Sequence, residues 1–246
     1  MFKKVISISI IIILLVFNIN AFANDNKNNI LSNQQTKISR ELFKENIKKI
    51  LEKKQKEITS IKEEQKKSLG KILIYHTHTC EKYIDGTSVI DAGNDLAKKL
   101  ENYGFEVDNI CEDFSIDYNN AYNSSRNFLL NIDLSQYKLV IDLHRDSADY
   151  KIARNLNGNN YAIVKFVFST SNNNYIKQQE LANNISNKIL DIYSGDFTYE
   201  KGILDFNQDL SDNMLLIEDG FNSNSIEEVK RSNGKIAKAI AEAFKN

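Results

Sequence analysis

The sequence has no proline in its 246 residues and only nine glycines. Average usage would place roughly a dozen prolines in a chain of this length. The chain is rich in Asn, Ile and Lys, so the shortage reads as compositional bias, and Gly and Asn must carry the turns. Two cysteines, Cys80 and Cys111, cannot form a disulfide framework. A single bridge between them is compatible with an exported chain, although two idle thiols are the plainer expectation. A net charge of −1 implies no bulk attraction to nucleic acid or anionic lipid. No repeat of solenoid period is visible. Histidine is scarce too, with three in the chain, so their positions carry information.

The apolar fraction of 41% suffices for a core, and the length allows one or two domains. The N-terminus "MFKK" is basic, and "VISISIIIILLVF" is apolar but shorter than a membrane span of about 20 residues. Ala21 to Ala23 ("AFA") fit a small-x-small cleavage site with Asn24 as the mature start. Residues 1–23 therefore read as a secretory signal peptide, with an uncleaved anchor as the alternative. The chain is expected to work outside the cytoplasm, secreted or at the wall-facing side of the membrane. Residues 24–69 read as a polar tether followed by a charged amphipathic helix. Ile38, Leu42, Phe43, Ile47, Ile50, Leu51, Ile58 and Ile61 recur there at three- and four-residue steps. A solvated stalk is the simplest reading, and a partner-binding or domain-docking stripe is the alternative.

From Gly70 to the C-terminus short apolar runs alternate with amphipathic segments. "KILIYH", "FEVDNI", "YKLVIDLH", "YAIVKFVFST" and "NMLLIEDG" read as strands. "GNDLAKKLENYG", ending at Gly104, reads as a helix, as do "YNNAYNSSRNFLLNI" and "NYIKQQELANNISNKILDIY". The closing helix begins with Ser225 as N-cap and Glu228 three residues on, a capping box. This alternation predicts a single α/β domain over residues 70–246, with a twisted, mostly parallel sheet flanked by helices. Active sites of such sheets gather at the carboxyl ends of the strands.

All three histidines fall at such ends. "KILIYHTHTCEKY" delivers His76, His78 and Glu81; "YKLVIDLHRDS" delivers Asp142, His144, Arg145 and Asp146; "NMLLIEDG" delivers Glu218 and Asp219. A catalytic zinc takes three protein ligands and keeps a fourth position open. His78 and Glu81, three apart, together with His144 from another strand, supply two imidazoles and one carboxylate. Glu218 is placed to act as the general base. Asp142 or Asp146 could orient an imidazole, and Arg145 could hold a carboxylate or stabilise an oxyanion. His76 is open between a supporting role, a substrate contact and a ligand in place of His78. Each signal has a bland counterpart, such as a hydrogen-bonded structural histidine or a solvated turn; their convergence on one sheet edge favours a zinc site.

"ILIYHTHTCEKY", "VIDLHRDS", "FNQDLSDNMLLIEDGFNSNSIEE" and "IAKAIAEAF" together resemble the stage II sporulation protein P family from about Lys71 to the C-terminus. The resemblance implies the fold of zinc-dependent N-acetylmuramoyl-L-alanine amidases, related in architecture to zinc carboxypeptidases. It implies hydrolysis of the amide between N-acetylmuramic acid and L-alanine in septal peptidoglycan during spore engulfment. It favours His78, Glu81 and His144 as zinc ligands and Glu218 as base. It also implies a lytic transglycosylase and a membrane scaffold as partners, and no nucleic acid. The chain departs from the family pattern at Cys80, where Thr or Ser is expected, and at "IEDGF", where an "IEVGG"-like run is expected. A zinc peptidase acting on the stem peptide, or a wall-binding module without turnover, are the competing readings.

Overall fold

The computed structural model describes residues 33–64, 68–199 and 205–245; residues 1–23, read above as a signal peptide, lie outside them. The chain divides into two compact units at Glu63/Glu64. The first holds helix α1 (Asn33–Glu64). Its Glu41–Lys44 and Glu45–Lys49 pairs, at 3.2 and 2.9 Å, each add a few tenths of a kcal/mol. Leu42, Phe43, Ile50 and Leu51 of its apolar stripe are exposed. Among the described residues no helix is long and apolar enough to cross a membrane.

The second unit is an α/β domain. In chain order it comprises β1 (Gly70–Tyr75), α2 (Val89–Tyr103), β2 (Phe105–Asn109), α3 (Ala121–Leu129) and β3 (Tyr137–Asp146). Then come β4 (Arg154–Leu156), β5 (Asn159–Tyr161), β6 (Val164–Ser169), α4 (Tyr175–Ser186), β7 (Tyr193–Tyr199), β8 (Met214–Phe221) and α5 (Ile226–Ala243). Six strands form one sheet in the order β2-β1-β3-β8-β6-β7. All neighbours are parallel except β6 and β8, which run antiparallel. Ile72, Ile74, Ile141, Leu143, Leu215 and Ile217 face α2, α4 and α5 in the main core. Leu73, Tyr75, Val140 and Met214 point to the other face, where Leu129 of α3 and Phe114 cover them. The apolar runs are continuous because both faces are buried.

The capping chemistry follows the sequence. Gly104 ends α2 in the left-handed region at φ 102°, and Glu228 Oε2 accepts from the Ser225 N–H at 3.0 Å. Helix α2 starts earlier than its periodicity indicates, because Ser88 and Asp91 form a second capping box.

Several boundaries differ from expectation for local reasons. "YAIVKFVFST" is not one strand: its first residue, Tyr161, belongs to β5 and pairs with Arg154 of β4 in a hairpin closed by Asn157 and Gly158 at φ 52° and 83°. Both central residues have positive φ, the signature of a type I′ turn. The segment after α4 leaves the helix, and Tyr193–Tyr199 becomes the edge strand β7. Its polar sequence, YSGDFTY, lacks the alternation that marks a half-buried strand. Cys80 and Cys111 are free thiols, both exposed, so no bridge joins them.

Candidate active site

Strand β1 stops at Tyr75, and the chain then turns through Thr77–Cys80. This turn separates His76 from His78. His76 is fully buried; its Nδ1 lies 3.1 Å from Leu143 O and its Nε2 3.2 Å from Asn109 Oδ1. A Cβ on Gly93 would stand 2.5 Å from its Cε1, so Gly93 of α2 makes room for the ring. Both nitrogens of His76 are thus spent inside the fold. His78 lies with Tyr118 and Tyr122 instead: its ring stacks on Tyr118 at 4.3 Å and 19° and meets Tyr122 edge-on at 5.3 Å.

Three other residues come from neighbouring strand ends. Asp142 and His144 sit two apart on β3 and so share a face. His144 is in register with Glu218 on β8, and Glu218 with Lys165 on β6. Asp142 is buried and accepts from the Thr77 N–H at 3.0 Å and from Thr77 Oγ1 at 2.7 Å. His144 Nε2 lies 2.9 Å from Asp142 Oδ1, and His144 Nδ1 lies 3.5 Å from Glu81 Oε2. The Arg145 N–H donates to the same Glu81 oxygen at 3.0 Å. The Arg145 side chain donates to main-chain carbonyls, from Nε to Lys82 O and from Nη1 to Asp146 O. Of the two candidate orienting acids, Asp142 faces the imidazole, whereas Asp146 pairs with Lys165.

The electrostatics distinguish the groups. Burial works to lower His144, but the Asp142 and Glu81 carboxylates outweigh it and raise it well above the usual imidazole range. Burial lowers His78, and the charge of His144 lowers it further. Burial works to raise Glu81, but His144 and the Arg145 amide hold it below its ordinary value. Glu218 goes the other way: burial, with Glu81 adding to it, pushes its carboxyl up to about 7 against the pull of His144, Lys165 and Arg145.

Whether a cation suits these residues can be tested on their geometry. His78 Nδ1, His144 Nε2 and Glu218 Oε2 are buried with no hydrogen-bond partner among the described residues. His144 Nε2 lies close to Asp142 without hydrogen-bond alignment. Two ligands about 2.0–2.1 Å from one tetrahedral zinc stand roughly 3.3 Å apart, close to the 3.5 Å between His144 Nδ1 and Glu81 Oε2. Among the described residues no group of three His, Cys, Asp or Glu donors is closed into a metal-binding cluster. His78, with its ring centroid 5.4 Å from that of His144, stands beside the close pair rather than within it. Two imidazoles and a carboxylate are donor types that zinc takes, so the residues fit by their chemistry, with the third donor, His78, not drawn in to the pair.

The site also contains residues that strand-end reasoning missed: Thr77, Tyr118, Tyr122 and Lys165. Tyr118 and Tyr122 stand four apart in "DYNNAY" where a 3₁₀ turn leads into α3. That spacing puts both rings on one helical side, a signal the sequence carried without a partner to read it against.

An α/β domain with two imidazoles, a carboxylate and a raised glutamate at its strand ends has the make-up of a hydrolase site. The chain matches the stage II sporulation protein P family over residues 10–241, and it belongs to that family. It is 26% identical over 203 residues to stage II sporulation protein P of Bacillus subtilis (strain 168), covering 70% of this chain. The chain spans about half, 51%, of the length of that relative. Similar solved structures include the CwlD amidase from Clostridioides difficile in complex with the GerS lipoprotein, at 17% identity and TM-score 0.49. That match covers 71% of this chain and 95% of the other. Another is an N-acetylmuramoyl-L-alanine amidase from Clostridium difficile 630, at 15% identity and TM-score 0.46, covering 71% and 94%.

Proposed function

We propose that this chain is a zinc-dependent hydrolase of peptidoglycan that cleaves the amide between N-acetylmuramic acid and L-alanine, acting on the septal wall during sporulation. The observation that supports the reading is the 3.5 Å approach of His144 Nδ1 to Glu81 Oε2 at the carboxyl edge of the sheet, with His78 Nδ1 nearby buried and unpartnered among the described residues. Family membership supports the cell-wall setting, and the relative's name supports sporulation.

In this reading His78, Glu81 and His144 would hold the zinc, which when bound would supply Lewis-acid chemistry, an acidified water and a polarised carbonyl. The Asp142 carboxylate stands 2.9 Å from His144 Nε2, on the side of the ring away from Glu81, and Thr77 holds Asp142 in place. Arg145 positions Glu81 through its own amide and anchors the turn through Lys82 O. Glu218 takes a proton from the attacking water and returns it to the leaving nitrogen. A carboxyl pushed to about 7 suits both transfers near neutral pH.

The test is digestion of defined muropeptides, with and without chelator, read by mass spectrometry. The amidase reading expects free lactyl-muramic ends and intact stem peptides, abolished by chelator and by Glu218→Gln with zinc retained. Shortened peptides would transfer the site to peptidase chemistry. Undiminished digestion by Glu218→Gln would remove Glu218 from its role.

A further inference from the structure

Buried tyrosine hydroxyls usually find a hydrogen-bond partner. The hydroxyl of the half-buried Tyr122 makes none among the described residues, although the ring and the main chain around it are held. Its ring lies parallel to His144 at 6.3 Å and 15°, edge-on to His78 at 5.3 Å, and against Phe206 at 5.5 Å. Its carbonyl accepts from Asn207 Nδ2 and from Ser125 Oγ, each at 3.2 Å. Phe206 and Asn207 sit in the left-handed region at φ 50° and 57°, a conformation that is costly for a bulky side chain. Strain of this kind persists where the surroundings enforce it, and it clusters at functional sites. Both of its hydrogen bonds among the described residues are made by its carbonyl, and none by the phenol O–H.

Three ring contacts and two hydrogen bonds to its carbonyl fix this tyrosine, and its phenol is left near the Asp142, Glu218 and Glu81 carboxylates of the proposed reaction centre. Arg145, the sequence-level candidate for stabilising an oxyanion, has Nε and Nη1 engaged with main-chain carbonyls. We propose that Tyr122 Oη–H donates a hydrogen bond to the oxyanion that develops on the scissile carbonyl. The inference rests on the amidase reading. The water oxygen adds to the carbonyl carbon, and the π pair moves onto the carbonyl oxygen. Glu218 accepts the water proton and later delivers it to nitrogen as the C–N bond breaks. The phenol keeps its proton throughout. Its hydrogen bond strengthens as negative charge builds, which is the kind of interaction that raises kcat.

Tyr122→Phe keeps the ring and removes only the donor. On a muramoyl dipeptide, kcat is expected to fall about 10²-fold with KM little changed. Binding of a phosphinate analogue, whose tetrahedral phosphorus replaces the scissile carbonyl, is read by calorimetry on the zinc-loaded protein. Its affinity should fall at least 10-fold, with zinc content equal to that of the unaltered chain. If Tyr122→Phe matches the unaltered chain in kcat and analogue affinity, or loses its zinc, this inference falls while the amidase reading stands. If the unaltered chain neither cleaves the dipeptide nor binds the analogue, both fall together.

Discussion

Glu218→Gln should make the metal-free protein more stable, and the gain should depend on pH in a calculable way. Burial drives the Glu218 carboxyl to about 7 from an ordinary 4.5. A raised carboxyl contributes stability below its unfolded pKa and loses it as pH rises through the folded value. Near pH 8 the folded protein must hold an ionised carboxylate that it disfavours by about 3 kcal/mol, at 1.36 kcal/mol per unit. Near pH 5 that cost shrinks to about 1 kcal/mol or less. Glutamine resembles the protonated acid and does not ionise, so the other titrating groups cancel between the two proteins and the difference isolates position 218. Urea denaturation of chelator-treated protein at pH 5 and pH 8 measures it. The variant should gain roughly 2–3 kcal/mol more at pH 8 than at pH 5. A gain equal at the two pH values, or a loss at pH 8, would refute the argument that this carboxylate is held in its disfavoured form. The same variant should be the one that no longer hydrolyses peptidoglycan.

Three further outcomes follow from other buried groups and from the thiols. Asp219 is fully buried with both carboxylate oxygens unpartnered among the described residues, and burial raises it well above its ordinary value; Asp219→Val should raise stability at pH 8 by about 1–3 kcal/mol in the same urea assay. Gly93→Ala forces a Cβ to 2.5 Å from the His76 ring; it should cost about 1–3 kcal/mol, read as a lower denaturation midpoint in the metal-free protein. Native protein should take up two equivalents of a thiol reagent without reductant, because Cys80 and Cys111 are both free and exposed; zero equivalents would indicate a bridge.

Much of the architecture was legible in the chain because its causes are local. Runs such as ILIY and LVIDL announce strands buried on both faces, Gly104 and the Ser225–Glu228 pair announce helix ends, and strand–helix alternation announces a mostly parallel sheet. The failures have local causes as well. Strand β7 lies at the edge of the sheet, so its polar residues face outward and carry no apolar period. The Asn157–Gly158 hairpin precedes the strand read from the sequence and takes its first residue, Tyr161, so only Val164–Ser169 remain as β6.

The site divides along a similar line. Sequence by itself determined which ionisable residues end which apolar runs, since a strand that leaves the core must deliver its polar groups at the edge: His78, Glu81, His144 and Glu218 were in view from that alone. Tertiary structure decided how they pair. It stopped β1 at Tyr75 and so sent His76 inward to Leu143 and Asn109, away from His78. It set Asp142 rather than Asp146 against His144. It raised Glu218 while lowering Glu81, though both are carboxylates near one imidazole. It also brought Tyr122 from α3 over both rings. The physical reason is that a side chain's direction, burial and charge environment depend on segments distant in the chain, and no local pattern encodes them.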